Sequence, residues 1–432
     1  MDVLPFMCAV GDGSRFKTGK IQEPRKKMLQ FISTKANQAL PAVLVLAIGS
    51  FPLSNALANV SMLLACVLWL LAGRYAERWQ VIRHNPGLWI ALGLYAWMWV
   101  GITYTTATSD DIQEHLIKYF KLAFMAVVVT GLQDPLWQRR AWLAFGVSVG
   151  FVLLSTYLNI WLQLPWSRTQ NQGWNVDHTV VKDYISQGIQ IALFTAMMLA
   201  AFLRPDQSTA RRMLWLGLAV AAVVSITHLS AGRTGYLALA ASLAGFAFWA
   251  STRLAWRLGA LLLIAVGAIG IYAVSPQMQD RVAQTIHEAT HRSLDDFSSA
   301  GQRLYFAEKS LQLIQERPVW GWGTGAYHDQ FCRIADTQEW CRLGSVHPHN
   351  QFLFIAVDHG VIGLVLVLLF AFAPMWLTRH SPAPERGLAA AFTGIFVVNS
   401  LTHGSLWLST ESHFSTLMAG LLFAAYKSRQ TA

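Results

Sequence analysis

Apolar residues in this 432-residue chain come in long runs, separated by short clusters of charged, Gly/Pro and aromatic residues. A helix needs about 20 mostly apolar residues to cross ~30 Å of hydrocarbon. Twelve runs approach that length, near residues 38–53, 55–73, 87–103, 115–131, 141–163, 184–203, 213–230, 234–250, 258–274, 360–377, 387–403 and 413–426. The pattern predicts an all-α polytopic membrane protein. Pro41, Pro52 and Asn55 interrupt the first two runs and leave the first one short. Most connections are brief, but residues 164–183 and 275–359 are not. The expected organisation is a basic N-terminal segment (1–37), nine spans (38–274), a mostly helical loop subdomain (275–359), three more spans (360–426) and a tail (427–432).

Charge orients this bundle. Lys and Arg number 33 against 23 Asp and Glu, a formal net charge of +10. A nucleic-acid partner is not expected, because 54% of the chain is hydrophobic. With the N-terminus inside, the basic first segment falls on the inner face together with Arg74, Arg78, Arg83, Arg139, Arg140, Arg204, Arg211, Arg212, Arg253, Arg257, Arg379, Arg386, Lys427 and Arg429. Every short inner loop then carries at least two positive charges, so both termini are expected to be cytoplasmic. The first 37 residues lack an apolar core and do not read as a cleavable signal peptide; the first span would serve as the uncleaved signal.

Function is expected in the long outer loop. Leu304, Ala307, Leu311 and Ile314 recur at helical spacing as one apolar stripe, with Glu308, Lys309 and Glu316 elsewhere on the surface. Pro318 should end that helix, and Gly321, Gly323 and Gly325 should supply a turn. No strand precedes GWGTG, so an interfacial turn is the better reading than a phosphate cradle. Cys332 and Cys341 share this loop on an oxidising face and are candidates for a local disulfide. The other two of the four cysteines, Cys8 and Cys66, fall in the cytoplasm and in a span, and no metal-type Cys/His spacing occurs.

Three features stand out on the outer face: Arg233 in SAGRTGY, Arg303 in GQRLYF, and His347 with His349 in VHPHNQF. Both arginines open helices, where a cation is unfavourable unless an anion is bound as well. Guanidinium pairs suit a pyrophosphate, although Arg233 could instead snorkel to lipid phosphate and Arg303 could form a surface ion pair. A neutral His349 imidazole could accept a proton from an attacking hydroxyl. Asn350 could orient it or cap the next helix, and no acidic or thiol ligand completes a metal site around the two histidines. Asp358 and His359, before Gly360, would end a short interfacial helix. Arg168, His178, Lys182 and Tyr184 are expected on one face of the 164–183 loop, where they could border a headgroup. Trp166 and Trp174 there read more simply as an aromatic belt.

The stretch from GQRLYFAEKSLQLIQERPVWGWGTGAYHDQF to HPHNQFLFIAVDHGVIGLVLVLLF, with SAGRTG upstream, resembles the O-antigen ligase family, whose superfamily includes O-antigen polymerases. The resemblance covers roughly residues 215–376. It implies a GT-C-like membrane glycosyltransferase of the bacterial inner membrane with periplasmic chemistry. It further implies that Arg233 and Arg303 bind the diphosphate of an undecaprenyl-diphosphate-linked O-antigen while His349 is catalytic. The acceptor would be a lipid A-core hydroxyl, transfer would invert the anomeric centre, and no cofactor or metal is expected because the leaving group is already activated. A polymerase using the same donor is the nearest alternative. A glycan transporter is disfavoured because the spans are nearly free of charge except at their ends.

Overall fold

The computed structural model describes residues 22–290 and 297–426, and every regular element among them is helical. The expected basic segment before residue 22, residues 291–296 of the long loop and the tail from 427 lie outside the described residues. The helices are α1 (Gln22–Ser50), α2 (Asn55–Ala72), α3 (Tyr75–Arg83), α4 (Pro86–Gly101), α5 (Ser109–Gly131), α6 (Pro135–Leu158), α7 (Tyr184–Phe202), α8 (Thr209–His228), α9 (Arg233–Ala250), α10 (Leu254–Val274), α11 (Pro276–Thr290), α12 (Ser299–Glu316), α13 (Tyr327–Ile334), α14 (Gln338–Gly344), α15 (Gln351–Leu377), α16 (Ala383–Thr402) and α17 (Ser409–Ala424). Many open on a side-chain cap: Ser54, Asn85, Thr108, Asp134, Asp183, Ser208, Ser298 and Asn350 each accept from a backbone N–H of the following first turn.

The chain is a polytopic membrane protein. Seven helices are long and apolar enough to cross a bilayer: α1 from Lys27, α2, α6, α7, α8, α10 and α15. The other five expected spans fall on α4, α5, α9, α16 and α17. Their shortfall has local causes. α4 and α17 have 16 residues each, or about 24 Å at ~1.5 Å per residue. α5 carries Asp110, Asp111, Glu114, Lys118 and Lys121. Protein rather than lipid surrounds α17, since every residue from Thr410 to Ala424 is buried. α10 is the opposite case, with no buried residue at all.

Two expectations need correction, and a third holds. Pro41 lies inside α1 and does not interrupt it, so this helix starts at Gln22, well before the expected residue 38. The short helix expected after His349 does end at Gly360, whose non-helical backbone (φ 59°, ψ −158°) separates it from the tenth span within α15. The apolar stripe of α12 is not its core face: Leu304 and Leu311 are exposed, while Tyr305, Phe306, Leu313 and Lys309 are buried. An aromatic cluster outcompetes the leucines there. Tyr305 stacks on Trp340 at 4.0 Å and Phe306 meets Phe331 edge-on at 5.6 Å. Lys309 is stabilised in this cluster by an ion pair to Asp336 at 2.9 Å. Cys332 of α13 is bonded to Cys341 of α14 beside the same aromatic group.

Two glycine contacts position the functional end. α7 and α9 cross so closely that a Cβ on Gly188 would meet the Gly235 Cα at 2.9 Å, two residues beyond Arg233. The GWGTG turn, with φ of 71°, 97° and 82° at its glycines, docks into the α15 kink. Trp322 N donates to the Val357 carbonyl at 2.9 Å, Gly323 N to Asp358 at 2.8 Å, and Val361 N to Pro318 at 2.8 Å. That turn is therefore an internal clamp on the helix that starts beside His349.

Candidate functional site

Arg233 is the first residue of α9, and both its terminal nitrogens donate to Glu288 of α11, at 3.1 and 3.2 Å. The same carboxylate accepts from the Ala300 backbone N–H at 3.2 Å, in the first turn of α12. Burial raises the pKa of Glu288, but Arg233 and that amide outweigh it and hold the carboxyl below its ordinary value. One turn along α12 is Arg303, half-buried, with no hydrogen-bond or ion-pair partner among the described residues. Burial and then the Arg233 charge lower its pKa, and Tyr184 and Glu288 oppose them. A guanidinium with its donors unspent beside a second one can hold an anion.

His349 lies in the field of Arg303. It follows Pro348 in a left-handed conformation (φ 51°), a strain on the order of 1 kcal/mol. Its backbone N–H donates to Nδ1 of the buried His347 at 2.8 Å, so His347 braces the turn. Burial and the neighbouring His349 are the leading causes that keep the His347 ring neutral, its pKa well below the ordinary value. The His349 ring lies nearly parallel to Phe306, 6.1 Å away and 19° inclined, and meets the His403 ring at 5.4 Å. Its Nδ1 is buried with no hydrogen-bond partner. Burial, and then the Arg303 charge, lower the His349 pKa to about 4. The imidazole is neutral at physiological pH and able to accept a proton.

Asn350 is the cap of α15: its Oδ1 accepts from Phe352 N and Leu353 N, both at 3.0 Å, and its Nδ2 donates to the Leu401 carbonyl. Gln351 ties the loop after α16 to the same point, its N–H donating to His403 O at 3.2 Å and its Oε1 accepting from Leu406 N at 2.8 Å.

The 164–183 loop divides. Tyr184 reaches the site, touching the backbone at Gly232 and the field of Arg303. Lys182 turns inward: its Nζ donates to the Phe51 carbonyl and to Asn55 Oδ1. Burial lowers its pKa to about 8 against the attraction of Glu411 and Asp183. Arg168 donates to the Lys182 carbonyl. His178 is fully buried between the Gly173 carbonyl (2.8 Å from Nε2) and the Leu229 carbonyl (2.9 Å from its N–H), so it packs the loop and is not brought to the arginines. Trp166 and Trp174 are about half exposed, against Phe151 and His228.

Sequence reasoning missed Glu288, Asp183, His403 and Glu411. Asp183 Oδ2 and Glu411 Oε1 both lie 2.8 Å from Ser186 Oγ, and His403 Nδ1 is 3.8 Å from Glu411. An acidic residue just ahead of the apolar run of α17 was the one available signal for Glu411. Among the described residues, Asp111, His328 and Asp329 could together hold a metal ion, and that group includes neither His347 nor His349.

Two neighbouring guanidiniums next to a neutral imidazole suit transfer of a phosphate-activated group to a hydroxyl. No curated protein matches the chain. Residues 226–368 match the O-antigen ligase family model, a segment that runs from the end of α8 into α15 and contains Arg233, Arg303 and His349. The match covers about a third of the chain and supports an O-antigen ligase family assignment.

Proposed function

We propose that this protein is the ligase itself: it transfers O-antigen polysaccharide from undecaprenyl diphosphate to a sugar hydroxyl of lipid A-core. The observation that carries this reading is the unpartnered Arg303 guanidinium, held between Arg233 and His349. The donor diphosphate lies across the two arginines, with its lipid tail between helices. His349 takes the proton of the acceptor hydroxyl as the oxygen attacks the anomeric carbon from the side opposite the diphosphate. The new C–O bond forms as the bond to the diphosphate breaks and its electron pair leaves with the phosphate oxygen, whose growing charge the guanidiniums stabilise. The configuration inverts in one displacement. The reaction takes place on the periplasmic face of the bacterial inner membrane, with both termini in the cytoplasm.

The test is reconstitution of the purified protein with lipid-linked O-polysaccharide and, separately, lipid A-core or a second lipid-linked repeat. Transfer to lipid A-core is expected. Transfer only to the second repeat would make the protein a polymerase and overturn the proposal.

A further inference from the structure

Ser186 has one hydroxyl proton and two carboxyl oxygens, Asp183 Oδ2 and Glu411 Oε1, each at 2.8 Å. It can donate to only one of them. The other contact is a hydrogen bond only if a carboxyl group donates. Asp183 is the natural anion of the pair: its Oδ1 accepts from Ile185 N at 2.8 Å and Ser186 N at 2.9 Å, at the positive end of α7. Glu411 has no such support. It is 3% exposed, and its polar neighbours besides Ser186 are its own backbone amide and, at 3.8 Å, His403 Nδ1. Lys182 attracts it only through space, because its Nζ donates to the Phe51 carbonyl and Asn55 Oδ1.

We propose that Glu411 is a positioning residue in the neutral carboxylic acid form, donating its proton to Ser186, which donates in turn to Asp183. Resting on the transferase reading above, its role is to keep a third anion out of the diphosphate site. Arg233 and Arg303 are two cations against one anion in the site, Glu288, and Lys182 offsets Asp183 beside it. An ionised Glu411 would cancel the remaining positive charge and leave the site neutral overall. The titratable groups that act on Glu411 are His403 after α16 and, through space, Asp183 and Lys182.

Difference infrared spectroscopy of the full-length protein in detergent tests the protonation without any substrate. The wild type should show a protonated-carboxyl stretch that disappears in Glu411→Gln and shifts in Ser186→Ala, which removes the acceptor. An unaltered band in Glu411→Gln, or no such band in the wild type at neutral pH, would overturn the proposal whatever reaction the protein catalyses. With lipid-linked donor in proteoliposomes, donor KM should rise ~tenfold as pH increases and Glu411 ionises. Glu411→Gln should flatten that rise. A rise of equal size in the variant would show that Glu411 does not control the site's charge, and a misfolded variant leaves the Ser186→Ala band shift to decide.

Discussion

Glu288 grips Arg233 through both terminal nitrogens, at 3.1 and 3.2 Å, while Arg303 has no such partner among the described residues. The two arginines should therefore respond differently to removal. Arg303→Ala deletes an unspent donor set, so donor KM should rise ~10- to 100-fold, about 1.4–2.8 kcal/mol of binding, with little change in the thermal midpoint. Arg233→Ala leaves the Glu288 carboxylate buried without its cation and should cost stability as well, about 1–3 kcal/mol. Arg233→Ala with Glu288→Gln should recover most of that stability without recovering donor use. Thermal unfolding in detergent together with donor titrations separates these outcomes, and equal stability losses for both single variants would contradict this distinction.

His349 sets the acid limb of the rate profile. Its pKa is lowered to about 4, chiefly by burial and then by Arg303, so the basic, neutral imidazole persists until the pH falls to that value. Transfer should thus be insensitive to His349 titration between about pH 5.5 and 7, where an ordinary histidine with a pKa of ~6.5 would lose most of its base form. Arg303→Ala removes one depressing charge and should move the acid limb upward. His349→Ala should lower kcat ~10²- to 10⁴-fold. An acid limb centred near ~6.5 in the wild type would show that this ring is not the base.

The clamp between the GWGTG turn and α15 should be intolerant of side chains. A Cβ on Gly360 would lie 2.2 Å from the Val319 carbonyl oxygen, and the residue has φ 59°. Gly360→Ala combines a backbone clash with left-handed strain and should cost on the order of 2 kcal/mol or more, read as a lower thermal midpoint and reduced yield. Gly93, with nothing within 4 Å of its Cβ position, is the matched control in α4. Similar losses in Gly93→Ala would point to general fragility in the bundle.

Much of this arrangement could be read in the sequence, for physical reasons. The membrane demands apolar length, so runs of hydrophobic residues revealed the helices, including short ones such as α17 that protein surrounds. Arg233, Arg303 and His349 stood out because charge near a helix N-terminus on the outer face requires an explanation. The core face of α12 did not show, because a stripe counted on Leu and Ala ignores the larger area of Tyr305 and Phe306 and the apolar stem of Lys309. Glu288, His403 and Glu411 gain meaning only from partners far away in sequence: Glu411 lies 225 residues from Ser186, and Glu288 55 from Arg233. His178 looked like its neighbours in the loop until its two backbone carbonyl contacts were visible.

The disulfide between Cys332 and Cys341 gives the last test, because it connects loop stability to His349, the proposed base. It joins α13 to α14, which carries Trp340; Trp340 stacks on Tyr305 and meets Phe306 edge-on at 6.1 Å, and Phe306 lies against His349. A closed loop with a sequence separation of 9 should restrict the unfolded chain by roughly 2–3 kcal/mol. Reductant should lower the thermal midpoint of the wild type but not that of Cys332→Ser/Cys341→Ser, since the described free cysteine, Cys66, lies in α2 and is unpaired. Loosening the Trp340–Phe306 wall should depress kcat more than donor KM, because Arg233 is anchored to Glu288 and does not depend on that wall. A rise in donor KM alone would instead mean that the disulfide acts through the arginines.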